Sequence, residues 1–138
     1  MEQMTKRLLR FVVLCGFVLT VAASASVYAH HSLAGMYALG KEAKVAGAFK
    51  AFRLVNPHSS MKFDVKQKDG SIVEWNVLGG SVQAIARLGL KSGPNALKAG
   101  DEIVVTMVPA ADGKSPIGLL VAITYADGHT VRFRSTEE

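Results

Sequence analysis

Hydrophobic and polar residues alternate along most of the chain after residue 43, which is the pattern of β-strands with one buried face. The clearest case is the segment 61–77, in which two alternating runs flank a Lys-Asp-Gly turn at 68–70. A two-residue turn would place Val65 opposite Glu74, whereas a three-residue turn places apolar residues opposite each other. We therefore expect a three-residue hairpin loop with Gly70 in a left-handed conformation.

The same pattern recurs near the C-terminal end, where alternating residues 117–125 lead through Ala-Asp-Gly128 into the segment 129–134. Pairing residue 123 with residue 131 again joins apolar side chains, so we expect a second hairpin with Gly128 in its turn. Between the hairpins, apolar residues follow helical spacing from Ser81 to Gly89. Ser81 is a typical N-cap and Gly89 a typical C-terminal stop, which predicts a short helix.

Two further strands complete the predicted set. Residues 102–108 follow a turn at Gly100 and Asp101, and Pro109 ends this strand. The longer segment 44–55 changes its apolar face near residue 51, which indicates a bulge or bend. Three strands, a helix and two or three strands follow the order of an OB-fold barrel, in which the helix plugs the barrel.

We therefore expect an all-β domain with one short helix, an OB-like β-barrel of five to six strands at residues 43–135. An N-terminal segment, 30–42, precedes this domain. An open β-sandwich of similar size is the alternative, because the order of elements does not prove closure.

The first residues have the pattern of a secretory signal peptide. Lys6, Arg7 and Arg10 precede the uncharged run 11–29, whose apolar first half gives way to small residues. We expect residues 1–29 to be removed, with cleavage after Ala29, and cleavage after Ala25 as the alternative. The weakly apolar second half argues against a membrane anchor, so we expect a periplasmic or secreted protein with no stable membrane span after cleavage.

Composition narrows the expected ligands. Without residues 1–29, thirteen basic and ten acidic side chains remain, a net charge of +3 that lacks the clustering typical of nucleic-acid binding. The single cysteine, Cys15, lies in the predicted signal peptide. The mature chain therefore has no disulfide, and a metal ion would need nitrogen, oxygen or thioether ligands.

Two histidine motifs stand out in the remaining chain. Residues 30–32 read His-His-Ser, and residues 56–59 read Asn-Pro-His-Ser. They are followed by Trp75, by Arg-Leu-Gly at 87–89 and by Leu-Lys-Ala-Gly-Asp at 97–101. This constellation resembles a family of small secreted bacterial proteins of unknown function over essentially all of the mature domain. The chain departs from that family at Ala38, where an acidic residue is common, and at Leu90, where Trp is usual. The resemblance implies no known activity.

The histidines themselves indicate transition-metal chemistry. A histidine at a free N-terminus offers its amine and its ring to one ion, and such nitrogen sets suit Cu(II) first, with Zn(II) and Ni(II) as alternatives. Because Asn56 and Pro57 favour a turn at a strand end, His58 is the expected partner of His30 and His31. Met61, Trp75 and Met107 are candidate accessory residues. In the alternative interpretation the histidines belong to a tail and a turn, and the methionines fill the core.

No catalytic constellation is discernible, so we expect a binding protein rather than an enzyme. The competing hypothesis is a periplasmic interaction module that binds a protein or a glycan without metal. Its candidate polar face comprises Lys50, Arg53, Lys62, Arg132 and Arg134. His129, beside a hairpin turn, is expected to be solvated.

Overall fold

The structure, a computed structural model, describes residues 3, 4, 6, 7, 10, 13 and 33–133. Its strands are β1 (Ala43–Arg53), β2 (Ser60–Lys66), β3 (Ile72–Leu78), β4 (Glu102–Pro109), β5 (Ile117–Tyr125) and β6 (Thr130–Arg132), with helix α1 (Val82–Arg87) between β3 and β4. The chain divides into two compact units, Met1–Gly35 and Met36–Glu138, and all of these elements belong to the second. No helix in the described ranges is long and apolar enough to span a membrane.

Five strands form a closed barrel. The sheet order is β3-β2-β1-β4-β5-β6, and the parallel pairing of β3 with β5 joins its two sides. Strand β6 pairs with β5 as an extra strand outside the closed set. The order β1-β2-β3-β5-β4 and the helix between β3 and β4 confirm the predicted OB-like barrel, and the closure excludes the open sandwich.

Strand β1 bends, and its two parts pair mainly with different neighbouring strands. Its first part pairs with β4 as far as Ala48, and its second part pairs with β2 as far as Arg53. The register with β2 shifts between Phe49 and Ala51, so the extra residue at the bend is Lys50. This bulge confirms the predicted change of face, one residue earlier than the sequence pattern indicated.

Both hairpins have the predicted register. Val65 lies opposite Val73 and Phe63 opposite Trp75, while Ile123 lies opposite Val131. The turn glycines Gly70 and Gly128 have φ angles of 85° and 88°, a left-handed conformation that a side chain would oppose. The alternation of apolar residues therefore fixed the strand pairing, as expected when one face of each strand is buried.

Helix α1 covers one end of the barrel. Ser81 is its N-cap, with Oγ accepting a hydrogen bond from the backbone N–H of Ala84 at 3.3 Å, and Gly89 follows its end with a φ of 68°. Ile85 is the helix side chain that is fully buried. It joins a core made of inward side chains from the strands, namely Phe49, Met61, Phe63, Val77, Ile103, Val105, Met107, Leu120, Ile123 and Val131, together with Leu90, Leu97 and Phe133.

Candidate functional site

The Asn-Pro-His motif forms a fixed loop between β1 and β2. The Oδ1 atom of Asn56 accepts a hydrogen bond from the backbone N–H of Val82, in the first turn of α1, at 3.1 Å. The Asn56–Pro57 peptide bond is cis. Ser59 is fully buried; its N–H donates to the carbonyl of Gly80 and its own carbonyl accepts from the N–H of Gly79. The loop is therefore held at both ends by the segment that leads into α1.

His58 lies between these two attachment points and is exposed. Its ring makes no hydrogen bond or ion pair with any other residue in the described part of the chain. The loop thus presents a free imidazole from a fixed backbone. One imidazole is a single ligand, and within residues 33–133 no group of three or more His, Cys, Asp or Glu side chains is placed to hold a metal ion.

His30 and His31 lie outside the described residues, so their predicted approach to His58 stays a prediction. The chain that follows them is attached firmly to the barrel. Tyr37 is 3% exposed and forms an isolated β-bridge with Ala110, after the end of β4. Backbone hydrogen bonds from Ala111 N–H to Met36 C=O and from Ala38 N–H to Pro109 C=O flank this bridge.

The three candidate accessory residues point inward. Met61 and Met107 are 1% and 0% exposed and belong to the hydrophobic core. Trp75 packs against that core, with its ring centroid 6.1 Å from the ring centroid of Phe63. Their burial and packing agree with a structural role in the core.

The predicted turn residues have structural roles. Gly100 has a φ of 95°, and its N–H donates to the carbonyl of Phe49. The carboxylate of Asp101 accepts a hydrogen bond from the N–H of Lys98 at 2.8 Å, and its carbonyl accepts one from the N–H of Phe49. This turn therefore joins the start of β4 to the bend of β1.

The outer face of β1, β2 and β3 carries a charge network. Glu74 accepts hydrogen bonds from Lys50 at 2.6 Å and from Lys62 at 2.5 Å, and Asp64 lies 3.5 Å from Lys50. The hydrogen bonds from the two lysines lower the pKa of the Glu74 carboxyl from 4.5 to about 2, and the bond to Glu74 raises the pKa of Lys50. Two of the five residues of the predicted polar face are thus neutralised by neighbouring carboxylates.

His129 belongs to a cluster of side chains that the sequence pattern did not reveal. The ring of His129 is exposed, as expected, but it stacks on the ring of Tyr125 with centroids 4.2 Å apart. Its Nδ1 lies 2.9 Å from Oδ1 of Asp127, and its Nε2 lies 3.1 Å from Oδ1 of Asn95. The backbone N–H and the ring of His129 lower the pKa of the Asp127 carboxyl.

Tyr125 and Asn95 complete this cluster. The Tyr125 hydroxyl donates to the carbonyl of Asn95 at 2.6 Å, and burial, followed by the charges of Asp101 and Asp127, raises its pKa. The amide of Asn95 donates to the carbonyl of Leu88 at 2.8 Å. The cluster therefore ties the β5–β6 turn to the segment that follows α1. Asn95 stands 30 residues before Tyr125 and 34 before His129, which explains why no local pattern revealed its part in the cluster.

Fold and site together define a small closed β-barrel protein with one candidate binding loop. Residues 18–119 match a family of unknown function (DUF6152), and the chain belongs to that family. The match agrees with the resemblance that the sequence motifs indicated. No curated protein and no solved structure matches the chain at a significant level.

Proposed function

We propose that this chain is an exported binding protein that holds a transition-metal ion, copper first, through His30 with its amine, His31 and His58. The observation that carries the proposal is the loop of residues 56–59, which is hydrogen-bonded at both ends yet leaves the His58 imidazole unpaired and exposed. Because the loop backbone is already fixed, metal binding has to order only the side chain of His58, which favours affinity.

The attachment of Tyr37 supports the participation of the N-terminal histidines. His31 stands six residues before Tyr37, and an extended chain of that length spans at most about 22 Å. The covalent chain therefore keeps both N-terminal histidines within a limited distance of the barrel.

Strand register gives the distance that this tether has to cover. Pro109 lies opposite Gly118, Gly118 opposite Val77, and Val77 opposite Met61, three residues after His58. These three strand spacings and a fourth, from Tyr37 to Ala110, amount to about 19 Å along the barrel wall, and the three residues from Met61 to His58 add up to about 10 Å. The extended tether of about 22 Å is of the same order as this path, which follows the curved wall and is longer than the straight line between its ends, so the length of the chain is compatible with an approach of His31 to His58.

The donor set favours copper. The chain has no cysteine after Cys15, and the methionines of the barrel strands are buried, so the proposed site consists of nitrogen ligands without sulfur. Amine and imidazole nitrogens suit Cu(II), which also binds such ligands more tightly than the other divalent first-row metals do. Cleavage after Ala29, predicted from the N-terminal pattern, would create the amine that this site uses.

Copper titration of the exported protein, purified after processing, tests the proposal. The N-terminal residue is first established by intact mass, and Cu(II) binding is then followed by calorimetry and by electron paramagnetic resonance. We expect His58→Ala to weaken Cu(II) binding by more than about tenfold. Loss of a residue that only hydrogen-bonds to a metal ligand already weakens binding about tenfold or more, and His58 is proposed as a ligand itself. A protein with one extra N-terminal Met should be weakened similarly.

His129→Ala is the matched control, because it removes an exposed imidazole that belongs to another cluster. Its Cu(II) affinity should equal that of the unmodified protein. Equal affinity in all four proteins would overturn the copper site and would favour the competing hypothesis, an interaction module that binds a protein or glycan without metal.

A further inference from the structure

A cleft of about 370 Å³ lies between the second part of β1 and the segment after α1. From β1 it is lined by Phe49, Phe52 and Leu54, among others, and from the other side by Leu90 and Leu97. Its volume is within the range of small-molecule sites. It opens where β1 has left β4, since the last pair between those strands is Ala48 with Glu102.

Each wall of the cleft is held in place by its own contacts. The rings of Phe49 and Phe52 pack with centroids 5.0 Å apart. Within the opposite wall, the N–H of Leu97 donates to the carbonyl of Leu90 at 3.0 Å. The Tyr125 and His129 cluster also holds Asn95 of the same segment. A ligand would therefore meet a largely preformed apolar surface, so little free energy would be lost in ordering side chains on binding.

Lys91 is the one charged residue that lines the cleft. Its side chain is exposed, and it forms no ion pair or hydrogen bond with another side chain in the described residues. This differs from Lys50 and Lys62, which carboxylates neutralise on the outer face. An unpaired ammonium group at the rim of an apolar cleft complements a ligand with an anionic head and an apolar body.

We propose that this cleft binds a medium-chain aliphatic carboxylate, with its chain against Phe52 and Leu54 and its carboxylate near Lys91. The site is separate from the proposed copper site, because it uses neither His58 nor the N-terminal histidines. The proposal rests on the lining residues, the fixed walls and the unpaired charge, and it stands or falls independently of metal binding.

Calorimetric titration with hexanoate, octanoate and decanoate tests it on the exported protein. Each pair of added methylene groups should tighten binding by up to about fifteenfold until the cleft is full, as burial of apolar area predicts. Decanoate should bind roughly two- to fivefold more tightly than decanol, the range expected for an exposed ion pair. Lys91→Ala should remove that difference, whereas Lys98→Ala, a lysine of the same segment outside the cleft, should retain it.

Ala51→Trp provides the blocking variant. Ala51 lines the cleft but is exposed, so a larger side chain fills the cleft without entering the core. We expect this variant to lose decanoate binding while keeping its unfolding midpoint. Amide chemical shifts of the unmodified protein give a second readout, with decanoate perturbing Phe52 and Leu97.

Four results would overturn the proposal. Decanol and decanoate could bind with equal affinity, decanoate could bind unchanged to the Ala51→Trp variant, or the perturbed amides could lie away from the cleft. Absence of decanoate binding would overturn it as well.

Discussion

On the outer face of the barrel, the Glu74 carboxylate lies between two lysine ammonium groups. Asp64 of β2 lies opposite Glu74 of β3 on this face. The hydrogen bond from Lys50 to Glu74 was not predictable from either strand alone, because it joins β1 to β3, which lie on opposite sides of β2. The environment of this carboxylate therefore depends on lysines from two other strands, β1 and β2.

The lowered pKa of Glu74 predicts a pH-dependent contribution to stability. Since the folded pKa is about 2 and the ordinary value is 4.5, the contribution is complete above the ordinary value and is lost as the pH falls toward 2. At pH 7 we expect Glu74→Gln to have a modestly lower thermal midpoint than the unmodified protein. This difference should shrink steadily as the pH is lowered from 5 to about 2.5.

Glu102→Gln serves as the control, because Glu102 is an exposed strand residue outside the charge network. Its difference from the unmodified protein should not follow the same pH course. Asp112, whose pKa is also lowered to about 2 by hydrogen bonds from Ser115 and the backbone, keeps part of the acid sensitivity in every variant. A Glu74→Gln difference that is constant with pH would contradict the assigned role of this network.

Among the elements, the loop of residues 56–59 and helix α1 depend on one another. Asn56 and Ser81 supply the side-chain acceptors for the N–H groups of Val82 and Ala84 in the first turn of the helix. The sequence predicted the Ser81 cap, which is local, and the turn at Asn56, which is also local. It did not predict that these two features meet, since 26 residues separate Asn56 from Val82.

Asn56→Ala should destabilise the protein by about 1 kcal/mol, the usual cost of losing a side-chain acceptor at a helix N-terminus. Urea unfolding measures this loss, and faster amide hydrogen exchange at Val82 would show that it originates at the helix. Asn56→Asp retains an acceptor, and its negative charge is favourable at this end of a helix, so it should keep most of the stability. Equal stability of the Ala and Asp variants would show that the hydrogen bond contributes nothing.

Local patterns made the hairpins and the helix predictable, through alternation in the strands and through helical spacing and capping residues in the helix, while the candidate site was predictable only in part. The Asn-Pro-His turn and the exposure of His58 follow from residues next to each other in the chain. The Tyr125 and His129 cluster and the apolar cleft arise where distant segments meet. Such features need the closed barrel before they can be seen.

At the scale of the whole molecule, Gly118 marks the closure of the barrel. It pairs with Pro109 of β4 on one side and with Val77 of β3 on the other. A Cβ atom at this position would lie 2.6 Å from Sδ of Met107 and 3.0 Å from the carbonyl oxygen of Val108. Closure thus depends on the absence of a side chain where β3, β4 and β5 come together.

Gly118→Ala should therefore destabilise the protein by about 1 to 3 kcal/mol, the cost of overpacking a filled core. The urea midpoint of unfolding measures this effect. Gly35→Ala is the matched control, because a Cβ atom there has no neighbour within 4 Å, and its stability should equal that of the unmodified protein. If both variants unfold at the same midpoint, the close approach at Gly118 has no energetic importance.

The position of β4 and β5 in the sheet also governs how the chain reaches its native state. Strands β1, β2 and β3 pair through short connections, but β4 binds the open side of β1 and β5 the open side of β3. These late contacts join residues as far apart as Ala43 and Met107, and contacts of long sequence separation slow folding to the millisecond-to-second range. During synthesis from the N-terminus, the edges of β1 and β3 thus stay unpaired until β4 and β5, in the last third of the chain, have been made. Aggregation through these edges competes with folding in that interval.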